Sequence, residues 1–306
     1  MLSASQRGLP TVYRQISALL LLLVSLLSGT TAIAVEGFHH EADGISYYLE
    51  RRGAGPHFVM VTSGQGDSGA YRFLADLLAE RYTVITFDPP GFSRSSDPPS
   101  WEMSSALLGD QVAALVKSLG IERATFFGSS SGGTTILSLV ADHPRLVEHA
   151  IIHEPAVSAD IPFFNFLFPR LIGLKAYFGG GFAEEERADL YGEGESLMIA
   201  DRALYRTLGE DHLERRIRNK EIWFDRYAWP DIPCCNREFT TEELQRAPLT
   251  VTLGERSSDW FGSGVKKLAE RAGTQAVIVP GKHFAYVTNP ERMAEVVYTA
   301  AERAAR

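Results

Sequence analysis

Gly128-Ser129-Ser130-Ser131-Gly132 stands between an apolar run, Arg123–Phe127, and the helix-like Gly133–Val140. A serine at such a strand-to-helix junction is held on a sharp turn with its hydroxyl exposed, and the flanking glycines let strand and helix close around it. The chemistry served is nucleophilic attack on a carbonyl carbon. A serine hydroxyl is weakly nucleophilic near neutral pH, so a base must accept its proton and a third group must orient that base. His283, in Pro280-Gly281-Lys282-His283-Phe284, follows the last strand-like run and precedes the final helix, where a serine on such an elbow meets its base. His39, His40, His57, His143, His149, His153 and His212 read instead as surface or packing residues.

Two carboxylates can complete the set. Asp259 closes the loop Gly254–Asp259 after strand-like Leu249–Leu253, and Glu154 ends the strand next to the serine's own. Either need only accept a hydrogen bond from the imidazole, so mechanism does not choose between them. The oxyanion formed on attack requires backbone N–H donors. Ser131 supplies one, and Gly64 or Gln65, in the tight turn Ser63-Gly64-Gln65-Gly66-Asp67, supplies the other. No metal or organic cofactor is needed for this chemistry.

The elements that must position these groups alternate along the chain. Strand-like runs fall at His57–Val61, Thr83–Asp88, Ala124–Gly128, Ala150–His153, Leu249–Leu253 and Ala276–Val279, with an antiparallel pair near Phe38–His40 and Ser46–Arg51. Between them Tyr71–Glu80, Ser104–Leu119, Thr134–His143, Val265–Ala272 and Pro290–Ala304 carry apolar residues at three- and four-residue spacing. Such alternation predicts an α/β fold, a mostly parallel sheet with helices on both faces. The order breaks over 157–245, where helical patterns run on without a strand, as a helical lid inserted after the sixth strand requires. Residues 35–156 and 246–306 then form the core. The lid holds Phe163, Phe164, Phe166, Phe168, Tyr177, Phe178 and Phe182, rings suited to packing its own interior and to facing an apolar pocket.

Residues 1–34 read as a secretory leader: Arg7 and Arg14 precede the apolar run Ile16–Leu27, and Ala32-Ile33-Ala34 supplies a small-x-small cleavage site. The run is short for a membrane span, so no stable anchor is expected and the protein should be secreted or extracytoplasmic. Its removal takes away two arginines and no acids, moving the formal charge from −8 to −10 and making nucleic acid an unsuitable partner. Cys234 and Cys235 are the only cysteines and are adjacent, so no disulfide framework staples the fold. A free pair is expected, because neighbouring Cα atoms lie closer than disulfide geometry prefers.

Taken together these stretches resemble the α/β-hydrolase superfamily and, more closely, the fungal zearalenone lactonases, which open the macrolactone of a resorcylic acid mycotoxin. The likeness runs through Tyr47–Pro56, Thr83–Pro99 with its Phe87-Asp88-Pro89-Pro90-Gly91-Phe92-Ser93-Arg94-Ser95, the serine elbow, His153-Glu154-Pro155, Leu208–Trp223 and Pro280–Val287. The resemblance implies the α/β-hydrolase fold and Glu154, over Asp259, as the acid that orients His283. It also implies that Trp223 contacts the bound lactone. The segment from Glu154 to Leu208 is longer and more aromatic than its counterpart in those enzymes, which leaves the substrate open. A secreted serine hydrolase acting on an apolar ester or lactone is the expectation. Carbon–carbon bond hydrolysis on the same triad and a non-catalytic ligand-binding homologue are the alternatives.

Overall fold

The computed structural model describes residues 34–157, 159–160, 206–219, 222, 226 and 234–304. The expected leader, most of the expected lid with its aromatic run, and Trp223 lie outside the described residues.

The amino-terminal hairpin forms because Asp43 and Gly44 both take positive φ, 49° and 74°, the conformation of a two-residue turn whose twist suits antiparallel strands. β1 (Val35–Ala42) and β2 (Ile45–Arg52) pair across it, Ala42 opposite Ile45. Along β2 the buried Ile45, Tyr47 and Leu49 alternate with the partly exposed Ser46, Tyr48 and Glu50, so one face only meets the core.

Six further strands follow: β3 (His57–Val61), β4 (Thr83–Phe87), β5 (Ala124–Ser129), β6 (Val147–His153), β7 (Leu249–Gly254) and β8 (Val277–Val279). Their spatial order is β1-β2-β4-β3-β5-β6-β7-β8, antiparallel from β1 through β4 and parallel from β4 to β8. β5 is buried along its whole length, as a strand covered on both faces must be. The helices are α1 (Arg72–Leu78), α2 (Ser105–Ser118), α3 (Ser131–Asp142), α4 (Glu210–Arg218), α5 (Thr241–Leu244), α6 (Asp259–Arg271), α7 (Ala285–Thr288) and α8 (Pro290–Ala304) among the described residues. α2 packs on α3 and α8 on α1. Ile136, Leu137, Leu139 and Val140 of α3 are fully buried in the main core, each contributing roughly 1.5–3 kcal/mol by leaving water.

From β3 the chain moves outward to β4 and then returns to the other side of β3 as β5. In a parallel sheet such a reversal opens a crevice at the carboxyl ends of the two diverging strands. Those ends lead into Ser63–Asp67 and Ser130.

Several boundaries differ from the sequence expectation. β6 begins at Val147, three residues early, and α6 begins at Asp259, six residues before Val265. Gly262 and Gly264 hid the first turn of α6, since glycine weakens a helical pattern, whereas the extended Ser258 and the acidic Asp259 suit a helix start. Within the expected inserted region, α4 and α5 are described, α5 opening on a capping box between Thr240 and Glu243.

Candidate active site

Ser130 links β5 to α3 with φ 55° and ψ −127°, a conformation that costs a non-glycine residue about 1–3 kcal/mol. The main chain on both sides holds it there. Its N–H donates to the His153 carbonyl at 3.1 Å, and its carbonyl accepts from Thr134 N at 3.1 Å and Ala156 N at 3.2 Å. The glycines are required by space: a Cβ on Gly132 would lie 2.3 Å from the Val61 carbonyl oxygen, and one on Gly128 would lie 2.8 Å from the Gly132 backbone. Tyr71 ties the elbow to β3, its hydroxyl accepting from Ser129 N at 3.1 Å and donating to the Val61 carbonyl at 3.0 Å.

Glu154 follows β6 directly and also takes a positive φ, 45°. Its N–H is held by the Thr252 carbonyl at 3.0 Å, which turns the fully buried side chain under the loop after β7. One carboxylate oxygen accepts from Gly254 N at 2.7 Å and from the Ser257 hydroxyl. The other meets Nδ1 of His283 at 2.8 Å. Burial alone would raise the Glu154 pKa, but the hydrogen bond from His283, the neighbouring imidazoles and Ser257 hold it at about 2. The carboxylate is therefore ionised at any working pH. With a carboxylate on Nδ1, the imidazole carries its proton on that nitrogen and presents Nε2 as the basic one. Asp259, the other candidate acid, stands exposed at the start of α6.

His153, read from sequence as a surface or packing residue, is fully buried beside the site. Its Nδ1 pairs with the Thr252 hydroxyl at 2.9 Å, its Nε2 faces the Lys282 carbonyl at 3.3 Å, and its ring lies 6.3 Å from that of His283. Burial lowers its pKa, and its hydrogen bonds tie β6, β7 and the loop of His283 together. Its position beside Glu154 was the available signal. Ser257, hidden in a polar loop, gave none.

Opposite the elbow, the turn Ser63–Gly66 is closed by Gly66 N donating to the Ser63 carbonyl at 3.0 Å, with Gly66 at φ 71°. Gly64 and Gln65 are its central residues. Ser131 is the first residue of α3, where amides lack a partner within the helix and the helix dipole is positive. The two predicted donor positions thus flank the crevice between β3 and β5. Just beyond, Asp67 is fully buried and accepts from Gly69 N at 2.8 Å, Ser93 Oγ at 3.0 Å, His212 Nδ1 at 2.9 Å and the Arg215 guanidinium. Burial alone would raise its pKa, but His212 and Arg215 hold it well below the usual carboxylate range. Cys234 and Cys235 are buried and not joined by a disulfide, their sulfurs 3.1 Å apart, in an apolar cluster with Phe92, Met103 and Leu108.

A family model for the α/β hydrolase fold matches residues 56–205. Together with the sheet order and the strand-to-helix elbow, this match shows that the chain has the α/β-hydrolase fold. More particularly, it resembles zearalenone hydrolases: that of Cladophialophora bantiana is 28% identical over 261 residues, 83% of this chain and 92% of the relative. That of Bionectria ochroleuca is 27% identical over 265 residues, 83% and 93% of the two chains. Among solved structures, an N-acyl homoserine lactone degrading enzyme superposes with a TM-score of 0.69 at 21% identity, covering 86% of this chain and 99% of that one. The enol-lactonase of Burkholderia xenovorans does so with a TM-score of 0.63 at 19% identity, over 86% and 99%. At such identities these two structures speak to the fold alone.

Proposed function

We propose that the protein is a serine hydrolase that opens a carboxylic ester or lactone through an acyl-enzyme on Ser130. The observation that carries this reading is the hydrogen-bonded His283–Glu154 pair at the end of the sheet where Ser130 is held in its strained turn. Ser130 Oγ attacks the carbonyl carbon while Nε2 of His283 takes the hydroxyl proton, and Glu154 stabilises the imidazolium. The carbonyl oxygen becomes an oxyanion facing the amides of Ser131 and of Gly64 or Gln65. When the tetrahedral intermediate collapses, the carbon–oxygen bond to the alkoxy group breaks and His283 returns the proton to it. In a lactone that alcohol stays tethered to the acyl group. Water, deprotonated by His283, then attacks the acyl-enzyme and releases the carboxylic acid and Ser130.

The likeness to zearalenone hydrolases supports a zearalenone-like macrolactone as substrate, and on the sequence resemblance we propose that Trp223 contacts it. We also place the mature protein outside the cytoplasm, with Val35 as its first residue, on the leader pattern of residues 1–34.

Ser130→Ala tests the central step. It should fold as wild type does and turn over p-nitrophenyl esters and macrolactones at under about 1% of the wild-type rate. Higher turnover at matched purity would remove Ser130 from the mechanism. Within that outcome, Trp223→Ala should impair a macrolactone far more than p-nitrophenyl acetate, which is too small to reach that side chain; equal losses would make Trp223 structural.

A further inference from the structure

The turn Ser63–Gly66 contains two glycines, and a glycine-rich turn has no intrinsic preference strong enough to hold an amide in one direction. What fixes it comes from the inserted region. His212, Arg215 and Asn219 recur at spacings of three and four, which puts them on one face of α4 and its cap. Asn219 Nδ2 donates to the Gln65 carbonyl at 2.8 Å and to Ser93 Oγ at 2.9 Å, and Asn219 Oδ1 accepts from Ser93 N at 3.0 Å. His212 and Arg215 both reach Asp67, two residues further along the same loop. Asn219 is 2% exposed and Asp67 is 0% exposed, so the bonds from Asn219 to the Gln65 carbonyl and from His212 to Asp67 are shielded from solvent.

We infer that Asn219 is a positioning residue for the oxyanion site, with the Asp67–Arg215–His212 cluster as its anchor. The Gln65 carbonyl held by Asn219 and the Gly66 N–H held by Ser63 are the two ends of one peptide group. With that group pinned, flipping the preceding peptide, which carries the Gln65 amide, would demand a positive φ at Gln65, a non-glycine residue that does not take one here, so the amide keeps its direction. α4 thereby supplies geometry to the acyl-transfer step while touching neither substrate nor reacting atoms. The inference rests on the Ser130 reading above.

An oxyanion interaction is made in the transition state and not in the ground state, so loosening it lowers kcat with little change in KM. Losing an oxyanion donor outright costs about a hundredfold to a thousandfold, so misplacing one through Asn219 should cost about tenfold to a hundredfold. Asn219→Asp keeps the oxygen that accepts from Ser93 N and replaces the donor to Gln65 with an acceptor. Asn219→Ala removes the donor without adding charge. Both should lower kcat on a p-nitrophenyl ester by that factor with KM within about twofold, and should weaken a trifluoromethyl ketone, which adds to Ser130 as an oxyanion, by the same factor.

A folded Asn219 variant with kcat and ketone affinity within twofold of wild type, alongside an inactive Ser130→Ala, would overturn this inference alone. So would failure of both Asn219 variants to fold, which would make the residue one of stability. Full activity of Ser130→Ala would overturn the underlying reading and this inference with it.

Discussion

The two sides of the crevice are secured by different means. On the side of β5 and β6, Ser130 and Glu154 sit at strand ends, their strained backbones are fixed by main-chain partners in the sheet and helix, and the glycines around them are demanded by contacts with other backbone. On the side of β3, the turn that carries Gly64 and Gln65 has one main-chain bond of its own, from Gly66 N to the Ser63 carbonyl, and is tied to the rest of the molecule by side chains, Asn219 at the end of α4 above all. The backbone of the first side is part of the fold, so damage to that backbone or to the buried Glu154 should show in stability, whereas loss of the Ser130 hydroxyl alone should show only in rate. The second is an attachment, so damage there should show chiefly in rate.

The largest effect expected lies at the join between acid and base. Glu154→Gln should lower kcat by roughly 10⁴-fold, since an amide cannot hold the imidazole in the productive tautomer and charge state. Asp259→Asn, at the exposed start of α6, should cost less than about tenfold on the same ester. A reversal of these magnitudes would move the acid to the loop after β7 and break the account of the β6 side.

Gly132→Ala sharpens the contrast through stability. Its Cβ would meet the Val61 carbonyl oxygen at 2.3 Å, and neither backbone segment can move without shifting β3 or α3. Overpacking of this kind should cost about 3 kcal/mol, read as a lowered urea midpoint. An unchanged midpoint would show that the elbow is less tightly built than described.

Acid titration probes the same side more gently. Glu154 has its pKa depressed from an ordinary 4.5 to about 2 by folding. Its stabilisation is therefore fully present above pH 4.5 and is lost as pH falls towards 2, where the unfolded carboxyl binds a proton that the native one refuses. In that window, stability of the wild type should fall more steeply than that of Glu154→Gln, by up to one proton, or about 1.4 kcal/mol per pH unit. Parallel slopes would contradict the depressed pKa.

On the β3 side, Arg215→Lys should have the smallest effect. It keeps a positive charge near Asp67 but loses the guanidinium fork, so kcat should fall by about twofold to fivefold with the urea midpoint nearly unchanged. A loss of stability comparable to that of Gly132→Ala would erase the distinction between the two sides.

What could be read from the sequence follows the same division. The elbow was legible because its glycines, serine and flanking periodicity are contiguous, and the parallel strands were legible because continuous apolar runs mark strands buried on both faces. The start of α6 was not, because Gly262 and Gly264 weaken the helical signal that Asp259 and Ser258 begin. His153 looked like packing because its partners, the Thr252 hydroxyl and the Lys282 carbonyl, lie 99 and 129 residues away. Asn219 and Asp67 were silent for the same reason: the bond from Asn219 to Gln65 spans 154 residues, and local pattern carries no trace of such a pairing.

The central claim, that Ser130 is the nucleophile and His283 with Glu154 its base and orienter, is tested most directly by covalent labelling. Wild-type protein, Ser130→Ala and Glu154→Gln would be treated with a fluorophosphonate and the adducts mapped by peptide mass spectrometry. One adduct per chain is predicted, on Ser130, formed far more slowly in Glu154→Gln and absent from Ser130→Ala. Labelling of Ser129 or Ser131 in the wild type, or undiminished labelling of Ser130→Ala, would contradict the assignment.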